Sequence, residues 1–451
     1  MRRTLLAVAV ALLASAAPAA AARFERIAGV KSTGTPGKYN KVGVLEFGSK
    51  KSRNVLILNP GTSASAAYFA PLARDVVRKA KGWQVWAVER RENLLEDQSM
   101  FNKAKEGKAT PQQVFDYYLQ YLTDPSITKH FQSIPTDKVA FARQWGMKVE
   151  IEDVHRVVKE AKKLGGRVVM GGHSLGGSIT TAYATWDFHG KSGASDLYGL
   201  VYIDGGSGPV PVTPEAAQAS LQTLSTSTPW LTFGGIPAPL AGLFNTSGAL
   251  SVLTAPNDPS IGWAWSALPT NLKPPVAPTN EGQYGYALDS ETSPPALIAA
   301  QAHLGRLAAS GTPRRWERAG ELTPIKRYAT MFSGWGLKSL DGTAWYHPQR
   351  LTIDSGAVAA GNKNPAQDVL DVRATHGHDL PKRLRIYAFG AALGGQRVLD
   401  AASILADQSG IPKNRLVLVD RHETYSHNDP SSASPKNDFV KNLIPFLKKI
   451  G

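Results

Sequence analysis

The stretch Val168-Val169-Met170-Gly171-Gly172-His173-Ser174-Leu175-Gly176-Gly177 decides the reading of this chain. A short apolar, β-branched run feeds into G-x-S-x-G, and a helix-compatible segment, Ser178 to Asp187, follows. Strand, tight turn and helix in that order form a nucleophile elbow. The chain must reverse within about one residue, which forces Ser174 into a strained conformation. Gly172 and Gly176 lack a Cβ, so the flanking backbones can approach the serine closely. The hydroxyl then stands on a rigid point, beside a backbone N–H that is free to bind an oxyanion. The chemistry this implies is acyl transfer through a serine.

The rest of the chain supplies the setting. Apolar runs at Val42–Phe47, Asn54–Leu58, Gln84–Val88, Arg167–Met170, Leu200–Ile203, Leu384–Phe389 and Leu416–Val419 read as strands. Amphipathic stretches at Tyr68–Lys81, Val154–Lys163, Val398–Gln408 and Asp438–Lys449 separate them. Short buried strands alternating with helices predict a largely parallel sheet covered on both faces. In such sheets ligands bind at the carboxyl ends of the strands, where Ser174 falls.

Composition excludes several classes. The N-terminus opens on Met1-Arg2-Arg3, runs through apolar Leu5 to Leu13 and ends in Ala17-Pro18-Ala19-Ala20-Ala21-Ala22. That is the pattern of a signal peptide over residues 1–22, and it predicts a secreted, soluble product. The apolar core is too short to span a bilayer. With no cysteine, neither disulfides nor thiolate chemistry is available. Of 51 basic side chains, 49 remain without Arg2 and Arg3, against 36 acidic ones, a formal +13. This charge favours solubility and is compatible with loose association with anionic surfaces. No basic block interleaved with aromatics points to nucleic acid.

From Ser207 to Asp379 the strand–helix rhythm stops. These 173 residues hold 18 of the 30 prolines and six of the ten tryptophans, which sets them apart in composition. Helical pattern persists locally, as at Pro295–Leu307. A segment this long carries structure of its own. It is expected to form a cap over residues 207–380, inserted between core segments 23–206 and 381–451. Trp230, Phe233, Trp263, Trp265, Trp335, Trp345 and Tyr346 are candidates to line an acyl or aromatic pocket, or to form the cap's own core.

On Gly172-His173-Ser174-Leu175-Gly176-Gly177, the strand order around it and a late histidine, the chain resembles the α/β-hydrolase family, nearest in pattern to exported lipases and esterases. The resemblance covers about Lys41–Gly206 and Arg383–Ile450. It implies a Ser…acid…His order, an oxyanion hole of two backbone amides, and no metal or organic cofactor. After the last strand the chain reads Arg421-His422-Glu423-Thr424-Tyr425-Ser426-His427, and His427 matches the family's base position better than His422. The usual acid position, after Leu384–Phe389, holds Gly390-Ala391-Ala392-Leu393-Gly394-Gly395 and no carboxylate. Asp204, at the end of the preceding strand, is therefore the expected acid, with Asp400 and Asp420 as alternatives. Leu175 supplies one oxyanion amide and Gly61 or Thr62 the other, from Asn59-Pro60-Gly61-Thr62-Ser63. His376-Gly377-His378 reads as a loop. The expected activity is hydrolysis of small-molecule or lipid esters. Another acyl transfer (peptidase, amidase or acyltransferase) and a catalytically degenerate binding protein are the alternatives.

Overall fold

The structure is a computed structural model that describes residues 22–451, so the signal-peptide pattern lies outside the described residues. Its centre is an eight-stranded sheet. The strands are β1 (Arg23–Ala28), β2 (Lys41–Phe47), β3 (Asn54–Asn59), β4 (Trp83–Glu89), β5 (Val168–His173), β6 (Gly199–Ile203), β9 (Arg385–Gly390) and β10 (Leu416–Asp420), with β7 (Arg306–Leu307) and β8 (Trp316–Glu317) forming a separate small hairpin. The spatial order is β1-β2-β4-β3-β5-β6-β9-β10. Only β2 pairs antiparallel with its neighbours, β1 and β4; every other ladder in the sheet is parallel.

Each central strand is apolar on both sides because both faces are covered. Leu56, Leu58, Val169, Val201, Ile203 and Phe389 enter one core, with the helices Ala70–Lys79 and Asp438–Lys448. Their alternating neighbours Val55, Ile57, Val168, Met170, Leu200 and Ala388 enter the other. Helices Met147–Lys162, Leu175–Thr185 and Gln396–Gln408 cover that second face. A period of two along a strand buried on both faces accounts for the continuous apolar runs. This layered architecture is the α/β-hydrolase fold.

Three elements depart from the sequence expectation. β1, Arg-Phe-Glu-Arg-Ile-Ala, is an antiparallel edge strand, and its charges on an exposed face hid it. Pro295–Leu307 is not one helix: a 3-10 turn at Pro295–Ala300 is followed by β7. Helices Ser99–Lys105 and Pro111–Tyr118 fill the interval after β4. Phe101, Phe115, Tyr118 and Trp145 from that interval share a third hydrophobic cluster with Trp230, Leu243, Trp265 and Trp345. The layer above the strand ends is thus built from two segments far apart in sequence.

Candidate active site

Ser174 follows directly on β5, with φ 55° and ψ −124°, the strained conformation the elbow requires. A Cβ on Gly172 would lie 2.0 Å from the Gly176 oxygen, and one on Gly176 would lie 2.0 Å from the Asn59 oxygen. Both positions are therefore closed to any side chain. The Ser174 N–H donates to the Ile203 oxygen at 3.0 Å, which ties the elbow to the end of β6.

The next residue along β6 is Asp204, buried and at φ 45°. Its Oδ2 accepts the Nδ1–H of His427 at 2.7 Å. Four backbone amides complete the cradle: Ala391, Gly394 and Gly395 donate to Oδ1 at 2.7, 2.9 and 3.2 Å, and Leu393 donates to Oδ2 at 3.2 Å. Burial alone raises the pKa of this carboxyl, but the hydrogen bond from His427, the neighbouring imidazole and the Ala391 amide outweigh it and hold the pKa below the usual carboxylate range. The glycine-rich loop after β9, which carries no carboxylate, supplies the donors that hold Asp204 at the end of the strand before.

An ionised Asp204 accepts only, so Nδ1 of His427 carries a proton, and in the neutral ring Nε2 then carries the lone pair. That Nε2 is buried and has no hydrogen-bond partner among the described residues. Ser174 Oγ does not bond to it in this conformation. The ring of His173, the residue before Ser174, has its centroid 4.2 Å from that of the His427 ring.

His173 has a role the sequence reading missed. Burial, reinforced by the adjacent His427, pushes its pKa down to about 3, so the ring is neutral. Its Nε2 contacts the His427 backbone oxygen at 2.9 Å, a bond that requires the Nε2–H tautomer. The residue before Ser174 thereby fixes the loop that carries His427. Asp429 secures the same loop from the other side, accepting from Ser426 N, His303 N and Thr323 Oγ1.

The loop Pro60–Ala64 passes beside the serine, and a Cβ on Gly61 would come within 2.9 Å of Ser174 Cβ. The amides of Gly61, Thr62 and Leu175 make no hydrogen bond among the described residues. Arg90, 2% exposed, grips this loop from below. Its Nη1 donates to the Pro60 oxygen at 3.0 Å, and Nη2 donates to the Gly61 and Ala64 oxygens at 3.2 and 2.8 Å. Glu92 pairs with its Nε at 2.6 Å. Carbonyls drawn inward toward a guanidinium leave the loop's amides facing the site. Arg90 sits just past β4, 84 residues before the serine, and only the fold reveals its role.

The alternatives lie elsewhere. Asp400 is exposed on its helix and bonded by Gln396, and Asp420 pairs with His422 at 2.7 Å near the surface. In the loop at residues 376–378, His376 does have carboxylate neighbours, Asp379 at 2.9 Å and Asp187 at 3.3 Å. Of the seven cap aromatics, Phe233 alone lines the space above Ser174. Trp230, Trp265, Trp345 and Tyr346 are buried in the third cluster, and Trp263 and Trp335 are half-buried away from the cavity. Large rings pack against one another wherever the chain lets them, so aromatic composition alone did not distinguish wall from core.

Ser174, Gly61, Thr62, Tyr68 and Asn428 enclose a small cavity of about 50 Å³. A second cavity, of about 140 Å³, shares Phe233, Ala241, Asn245 and Ala300 with it.

No protein-family model matches this sequence, and neither does any curated protein. Solved structures do resemble it over nearly the whole chain. A candidate lipase of Sulfolobus solfataricus is 15% identical, with a TM-score of 0.47 over 95% of this chain and 93% of that one. A thermostable carboxyl esterase of Bacillus coagulans is 15% identical, with a TM-score of 0.42 over 95% and 98%. A thermophilic esterase of Thermogutta terrifontis is 11% identical, with a TM-score of 0.38 over 94% and 99%. All three scores fall below 0.5, so the class rests on this chain's own strand order and elbow, which make it an α/β-hydrolase-fold protein.

Proposed function

We propose that the protein is a serine hydrolase of carboxylic esters, working through an acyl-enzyme on Ser174. The observation that carries this reading is the buried, unpartnered Nε2 of His427, held by Asp204 next to a serine on a strained elbow. A serine hydroxyl is a weak nucleophile, so His427 takes its proton as Oγ attacks the ester carbonyl. This step requires a conformation of the serine side chain that brings Oγ within hydrogen-bond reach of Nε2. Asp204 keeps the imidazole in the required tautomer and stabilises the imidazolium. The amides of Leu175 and of Gly61 or Thr62 receive the oxyanion, each worth about 3–4 kcal/mol of barrier. The imidazolium then returns its proton to the leaving alkoxide. Water attacks the acyl-enzyme by the same route in reverse.

The mostly apolar cavity that adjoins the space at Ser174 favours esters over peptides, whose flanking amides would need polar partners there. Export follows from the basic, apolar and small-residue pattern at the N-terminus. The test is hydrolysis of p-nitrophenyl esters from C2 to C16 by the parent and by Ser174→Ala. Turnover by the parent that the substitution abolishes supports the reading. Turnover that survives the substitution, or no turnover by the folded parent, overturns it.

A further inference from the structure

We infer that the substrate is an ester with one compact apolar arm of about six to eight carbons, or one aromatic ring, which enters the cavity between the cap helices. This inference rests on the ester-hydrolase reading of Ser174 and deepens it. The space beside the serine, about 50 Å³, has room for the reacting carboxyl group and little more. The adjoining space is about 140 Å³ and is walled by Phe115, Phe244, Leu268, Leu272, Tyr284 and Leu297. The two spaces share Phe233, Ala241, Asn245 and Ala300, which form the neck between them. A dry protein cavity of about 150 Å³ with such a lining holds benzene, which sets the size of the arm.

The neck is apolar except for Asn245. The Tyr284 hydroxyl donates to its Oδ1 at 2.7 Å, leaving the carboxamide N–H₂ as a donor without a partner among the described residues. A donor at the neck suits the ester oxygens, and apolar walls beyond it suit a hydrocarbon. The walls are mostly apolar, with Ser247 Oγ and Gln283 Oε1 as polar points that have no partner among the described residues, so they suit a hydrocarbon arm better than a charged one. An arm much longer than the cavity must displace the packed rings at its far end.

The experiment measures proton release from two series of esters, methyl esters of C2 to C16 acids and acetate esters of C2 to C12 alcohols. One series is expected to climb about fourfold in kcat/KM per added methylene until the cavity is full near C6 to C8, and to fall beyond C10. Ala287→Phe, which fills the cavity from helix Asn280–Leu288, should lower the C6-to-C2 ratio at least tenfold. Leu272→Ala should move the optimum to longer arms. Unfolding curves establish that each variant is folded. The inference is overturned if both series are flat, if rates climb through C16, or if neither folded variant shifts the ratio.

A second readout separates this inference from the reading it rests on. In Ser174→Ala, 1-hexanol should raise the Tm, and in Ser174→Ala/Ala287→Phe it should not. If no ester is hydrolysed but hexanol shows this pattern, the cavity stands and the hydrolase reading fails. If short esters are hydrolysed while hexanol binds neither variant or both equally, the cavity assignment fails alone.

Discussion

Asp204 accepts five hydrogen bonds, one from His427 and four from backbone amides. Asp204→Asn keeps the shape but presents an amide to Nδ1 and favours the wrong tautomer. It should lower kcat by about 10³–10⁴-fold, with Asp400→Asn and Asp420→Asn retaining the parental rate. Equal losses from Asp400→Asn would remove Asp204 from the mechanism. Arg90 is a positioning residue with a different signature. Arg90→Lys keeps the charge but cannot bond three carbonyls at once, so the oxyanion loop loosens. We expect a fall in kcat of about 10²-fold with little change in KM, a split that simple loss of stability does not produce. Ser174, His427 and Asp204 could be singled out as candidates in the sequence because each follows a recognisable strand and obeys local turn chemistry. His173 and Arg90 were not, because their roles are bonds to backbone atoms 254 and about 30 residues away.

At the level of elements, the elbow and the cap obey different rules. The elbow is a crossing of backbones with no space to spare. Gly176→Ala should therefore cost at least about 3 kcal/mol in denaturant unfolding and abolish turnover. A mild effect on both would mean that the β3–helix crossing relaxes freely. The cap depends on side-chain packing. Trp345 is 2% exposed and meets Phe101, Tyr118 and Phe131 edge-on at 5.7 to 6.0 Å, while its Nε1 donates to Asp341 at 2.9 Å. Trp345→Ala should destabilise by about 3–5 kcal/mol and leave the preference for arm length unchanged. A shifted preference in a stable variant would make it a wall of the cavity after all. Periodicity located the core strands to within a few residues because they are buried on both faces. It failed on the cap, whose stability comes from contacts between residues 101–145 and 230–346 that no local pattern encodes.

Across the whole molecule, the core and the layer above it enclose ionisable groups whose charges are costly to bury, and stability should record this as pH changes. Burial, offset only in part by nearby arginines, raises Glu89 to about 7 and Glu150 to about 8. In the unfolded chain both ionise near 4.5, so between 4.5 and 8 the folded state holds protons that the unfolded state has lost. Stability therefore falls as pH rises through that interval, by up to about 1.4 kcal/mol per pH unit for each proton. His173, driven down to about 3, acts in the opposite sense: below 6.5 the unfolded chain takes up a proton that the folded ring refuses, and stability falls with acid. Lys105, lowered to about 8, works against the carboxyls only above that pH. Between 6.5 and 8 the two glutamates act in the same direction as Glu96, raised by burial, and as His303, His376 and His422, raised by their carboxylate partners, so the variant reads out the share of Glu150. Thermal unfolding should show Tm decreasing across this interval, with a shallower slope in Glu150→Gln, where the amide has no proton to lose. Parallel slopes in parent and variant would mean that Glu150 is ionised in the folded protein, paired with Arg90 across the base of the oxyanion loop. The carboxylate's charge would then be part of how that loop is held, and Glu150→Gln would lower kcat as well as Tm.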